Sequence, residues 1–228
     1  MEAFPFTIAE WNPLEDLADS ILNASSDKDD ALAESLRLEL LERLAALRAR
    51  HGDHPVLLET AADYTEAAAE RAVLYRRAVE IAEAHGLPTL SIRTSFAPVL
   101  VKLGEPAAAL EELQAGGREA VSGDAYEREG WFWELKDVPY EAASDAQRSA
   151  LYRRAEEIAR AHGLPTLSIR LFHIRFLLDV GQLAAAREEL RGCEDEASRA
   201  SEDDQTLFKQ LCGEASPAEP GAAPDTAR

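Results

Sequence analysis

A chain of 228 residues, 46% of them apolar, is long enough to bury a core without help from metal or disulfides. Its formal charge of −19 sets the surface against phosphate backbones, so nucleic acid and anionic membranes are excluded as natural partners. The same charge favours encounter with a basic protein, an attraction that salt weakens.

Ala and Leu dominate the apolar share, with few Val, Ile and aromatic residues, which predicts an all-α fold with very little strand. The N-terminus Met1-Glu2-Ala3-Phe4-Pro5-Phe6 lacks the basic start and apolar run of a signal peptide. No later segment approaches about 20 apolar residues, so the expected location is cytoplasmic. In chain order, Pro13 to Leu22 reads as a short helix and Asp27 to Arg50 as a longer one carrying Leu32, Leu36, Leu40, Leu44 and Leu47. Residues 1–53 are expected to cap an array of helices that begins at His54. His51-Gly52-Asp53-His54 offers three metal-ligand types, but reads better as a turn in which Asp53 caps a helix beginning near Pro55. Further helices are expected over 55–66, 69–85, 89–103, 106–120, 125–136, 145–162, 166–180 and 183–200, then a C-terminal cap within 201–212. From Gly213 the composition of Glu, Ala, Ser, Pro and Gly predicts a disordered tail over 213–228.

The most informative feature is internal. Leu74 to Arg93 recurs from Leu151 to Arg170 with eighteen of twenty positions identical, an offset of 77 residues. Leu74, Ala78, Ile81 and His85 fall on one helical stripe. The two exceptions, Val79 becoming Glu156 and Glu83 becoming Arg160, lie on the margin of that stripe and opposite it, where drift is expected. Gly86-Leu87-Pro88 and Gly163-Leu164-Pro165 supply a glycine stop followed by proline, and His85 and His162 stand where an imidazole can meet terminal carbonyls. Ala107 to Leu113 then matches Ala184 to Leu190, so each unit, about 54–124 and 125–200, contains two helical hairpins.

A helix reading Leu-Tyr-Arg-Arg-Ala-x-Glu-Ile-Ala, a short Gly/Pro turn and a helix ending in Leu-Gly-Glu-Pro-Ala-Ala-Ala-Leu resembles the tetratricopeptide repeat. Tyr75, Ala78, Gly104 and Ala108, with Tyr152, Ala155, Gly181 and Ala185, look like that family's packing positions. The resemblance covers roughly residues 54–200 and is weaker in the hairpins starting at His54 and Tyr126. It implies antiparallel hairpins stacked as an α-solenoid, whose concave face holds a peptide or protein.

On that reading Arg93 and Arg170 occupy equivalent positions lining the face, and Arg170, His173 and Arg175 form a small basic group able to grip a carboxylate. Their alternative is pairing with nearby Glu and Asp. Trp131, Phe132 and Trp133 offer aromatic anchors or fill an irregular junction between hairpins; three successive residues cannot share one helix face, so at least one should be exposed. Cys193 and Cys212 have neither zinc nor redox spacing, and no phosphate loop, nucleophile elbow or metalloprotease motif occurs, so no cofactor, metal or catalysis is expected. The function expected is protein–protein interaction. An immunity or antitoxin protein neutralising a basic toxin is the alternative within binding proteins, and an enzyme with an unrecognised site is the third reading.

Overall fold

The computed structural model describes residues 6–141 and 144–216, the side chain of Ala146 excepted. Among these residues the chain is all helix and turn, in two compact units, Met1–Glu134 and Leu135–Arg228.

In the first unit α1 (Ile8–Ser26) pairs with α2 (Asp30–His51), α3 (Pro55–Asp63) with α4 (Ala68–His85), and α5 (Leu90–Lys102) with α6 (Pro106–Ser122). Contacts of α2 with α3 and of α4 with α5 join the pairs. The helix α7 (Ala125–Glu141) begins in this unit and ends in the next. The second unit continues with α8 (Asp145–Ala161), α9 (Leu167–Asp179), α10 (Leu183–Ala197) and α11 (Glu202–Ala215), with α9 against α8, α10 and α11. No described helix is long and apolar enough to cross a membrane.

The N-terminal helix is longer than Pro13 suggests. Thr7 and Glu10 form a reciprocal capping box that starts α1 five residues before the proline, so Pro13 sits inside the helix. The Thr7 backbone, then His51 and Arg50, hold the Glu10 carboxyl down at about 2, which ties the start of α1 to the end of α2. Leu14, Leu17 and Ile21 of α1 and Leu40, Leu44 and Leu47 of α2 share a core with Leu57 and Ala61 of α3. Asp53 does not cap α3. The N-cap is His54, whose Nδ1 accepts from Val56 N at 3.4 Å, while Asp53 pairs with Arg48 at 2.9 Å.

The duplicated turns close alike. Gly86 and Gly163 adopt φ of +64° and +70°, which lets Leu87 N reach Ala82 O at 2.9 Å and Leu164 N reach Ala159 O at 3.0 Å. His85 Nδ1 lies 2.9 Å from Ile81 O, as a helix-end histidine should. At the C-terminus α11 runs on to Ala215, past the expected stop at Gly213, because Ala215 is buried and its carbonyl accepts from Arg187 Nε at 2.6 Å. The rest of the expected tail, 217–228, lies outside the described residues.

Candidate functional site

Arg93 does not face an open groove. Its side chain is 7% exposed and its guanidinium pairs with Glu83 of α4 and Glu112 of α6, while Nε donates to Thr89 Oγ1 at 3.1 Å. Thr89 hands the network on: its N and Oγ1 both donate to Glu119 at 2.8 Å, and Leu90 N donates to the same carboxylate at 2.9 Å. Glu119 therefore caps α5 from the end of α6, satisfying helix-start donors that would otherwise be orphaned.

Arg170 stands in the equivalent place. Its guanidinium donates to Gly192 O at 3.1 Å and lies 3.4 Å from Glu196 and 3.7 Å from Glu189, and Glu196 accepts from Leu167 N at 3.1 Å. Glu189 and Glu196 follow Glu112 and Glu119 by the repeat offset of 77 residues. The carboxylates that these arginines grip are thus the chain's own.

The two substituted positions of the repeat complete the comparison. Glu83 has become Arg160, so the second unit loses one acid partner; Val79 has become Glu156, one helical turn earlier, and restores it. Glu156 pairs with Arg160 and lies 3.9 Å from Arg170 Nε. What the helical wheel offers as drift is a compensated exchange.

His173 and Arg175 are likewise engaged. His173 is 5% exposed, stacks on Tyr152 at 5.3 Å, and places Nε2 3.0 Å from Ser149 Oγ of α8. Burial pushes its pKa down, which favours the neutral ring. Arg175 pairs with Glu214 of α11. The three side chains expected to act together run from α9 to α10, α8 and α11 in turn. Trp131 is fully buried and donates from Nε1 to Leu113 O at 2.7 Å, whereas Trp133 is 55% exposed, the outward turn that a run of three aromatics requires.

Each unit also carries an open cleft. The first, about 470 Å³, lies over the Gly86-Leu87-Pro88 turn and the start of α5, with Glu119 and Ser122 on one side and Glu127 on the other. The second, about 530 Å³, is lined by Pro165, Leu167, Glu196, Arg199, Ala200, Ser201 and Asp204. Each of these except Ser201 is displaced by 77 residues from a lining residue of the first, so the cleft is duplicated with the repeat. Both copies present a pair of carboxylates, Glu119 with Glu127 and Glu196 with Asp204.

Beside its cleft the first unit holds a second polar cluster. Glu59 of α3 is bonded to Ser91 of α5, and burial pushes its carboxyl up to about 7. On the same helix Asp63 accepts from the Tyr75 hydroxyl, with Arg71 over the Tyr75 ring. The repeat keeps Arg71 and Tyr75 as Arg148 and Tyr152 but replaces Glu59 and Asp63 by Lys136 and Tyr140. The packing residues are retained and the acids are not.

The sequence matches no family model and no curated protein.

The compensated exchange and the buried carboxyl can each be tested by substitution. Glu83→Arg alone sets a cation beside Arg93 and should cost about 1 kcal/mol in urea unfolding, since Glu83 is well exposed. Adding Val79→Glu imports the second unit's solution and should show a favourable coupling of at least about 0.5 kcal/mol; additive costs would contradict the compensation. For Glu59, the folded chain keeps below about 7 a proton that the unfolded chain releases near the ordinary carboxyl value of 4.5. Stability from this group is therefore present at low pH and lost as pH rises through that window. Glu59→Gln should leave stability nearly unchanged near about pH 4.5 and raise it by about 2 kcal/mol near about pH 8, read by urea midpoints at both.

Proposed function

We propose that this chain is a protein-binding helical repeat of tetratricopeptide-like architecture, which takes up basic polypeptide segments in its duplicated acidic clefts. The observation that carries the reading is the recurrence of one cleft, with paired carboxylates, in both units of a chain bearing a charge of −19. A Lys or Arg side chain entering either cleft meets two carboxylates, one of them held in place by a helix start; the first cleft is the more acidic, because the second also carries Arg199 where the first has Ser122. The net charge adds long-range attraction for the same partners. Arg93 and Arg170 hold the walls and do not touch the ligand. Trp133 is an exposed aromatic able to add apolar contact.

The test uses fluorescently labelled Lys/Arg-rich and Glu-rich peptides of equal length, titrated at about 0.05 and 0.5 M salt. Basic peptides should bind, acidic ones should not, and salt should weaken the binding. The double variant Glu127→Gln with Asp204→Asn should lower affinity roughly tenfold with the urea midpoint unchanged. Equal binding of both peptide classes, or indifference to salt, would overturn the reading.

A further inference from the structure

The acidic cleft of the first unit runs on, through Leu90, Ser91 and Glu127, into a second groove of about 310 Å³ between α5 and the start of α7. Ser91, Thr94 and Ser95 form one wall, Tyr126 and Gly130 the other, and Trp131 lies at its base. Thr94 spends its hydroxyl on Leu90 O at 2.8 Å. Tyr126 stands 85% exposed at the rim.

The repeat supplies an internal reference for this groove. At the positions of Thr94, Ser95 and Gly130 the second unit carries Leu171, Phe172 and Leu207. Leu171 is fully buried, and Phe172 is half-buried with the Lys136 ammonium 5.6 Å from its ring. Along a single groove the first unit therefore carries three small side chains where the second carries large apolar ones. Gly130 is the telling member. It stands inside a helix, where glycine is disfavoured, and a Cβ placed there would meet nothing within 4 Å. The space over Gly130 is therefore open, and a side chain placed there would enter it.

We propose that this groove is a docking pocket for a large apolar side chain, aromatic or leucine, from the same basic segment that the acidic cleft receives. The chemistry of the occupant follows from two features. The apolar anchor has the character of the side chains that the chain's own duplicate places there. The flanking charge is positive, because the groove opens onto Glu127 and Glu119 and its described lining contains no Lys or Arg. A buried apolar anchor beside a charged rim is a common division of labour in peptide recognition, the anchor giving affinity and the rim selectivity. The proposal rests on the basic-segment reading for the flanks alone; the anchor pocket stands on packing.

The experiment follows the Trp131 indole N–H and the Gly130 amide by NMR in the full chain. The probes are five-residue peptides with a central Phe, Leu or Ala flanked by two lysines on each side, and the Phe peptide flanked by glutamates. The Lys-flanked Phe and Leu peptides should shift both signals and bind at least about tenfold more tightly than the Ala peptide. Gly130→Leu and Ser95→Phe, which copy residues of the second unit, should erase that difference, while Gly130→Ala should keep it. Equal affinity of the Phe and Ala peptides for the native chain, or a Phe preference that survives Gly130→Leu, overturns the pocket. If the Glu-flanked Phe peptide binds as well as the Lys-flanked one, the pocket stands and the basic-segment reading falls.

Discussion

A guanidinium taken out of water is destabilising by several kcal/mol unless its charge and N–H groups are met, and Arg93 is met from three directions. Glu83 comes from α4, Thr89 from the turn before α5, and Glu112 from α6. Because Thr89 is held in turn by Glu119, the network also fixes where α5 starts, and with it the floor of the acidic cleft. Arg170 does the same work in the second unit with Glu156, Glu189 and Glu196. Much of the pattern of retained residues stems from this requirement. Once the arginine is buried, its acids must stay, or must move to another position within reach.

That requirement separates two kinds of residue in a chain copied nearly verbatim. Positions around the arginine are kept or exchanged in compensating pairs. Positions of the α5–α7 groove and the inner cluster have diverged: Glu59 against Lys136, Asp63 against Tyr140, Ser95 against Phe172, Gly130 against Leu207. Beside its cleft the first unit holds two acids and an open groove, where the second holds a lysine over an aromatic ring and larger apolar side chains.

The helices are legible in the sequence because their signals are local: apolar stripes at helical spacing, glycine stops, and prolines just beyond them. The start of α1 is not, because Pro13 is conspicuous and the Thr7–Glu10 box is easily passed over. Nor is the direction in which Arg93, Arg170, His173 and Arg175 point. Retention through a duplication is silent on whether a residue's partner is foreign or its own. A finer signal is present. Over the ten residues 114–123 and their counterparts 191–200, only Glu119/Glu196 and Ala120/Ala197 remain identical, which singles out the capping acid. The α5–α7 groove depends on side chains that are small, and smallness has no periodicity to read.

The duplicated arginines bind the helices of their own units to one another through buried and half-buried ion pairs. A double-mutant cycle tests it most directly, using Arg93→Met and Glu112→Gln with stability read from urea unfolding. Arg93→Met should destabilise the chain, and the pair should show a coupling of about 2 kcal/mol or more, as a buried, hydrogen-bonded ion pair does. A coupling near zero, with the methionine variant as stable as the native chain, would contradict the claim and return Arg93 to the pool of residues available for binding.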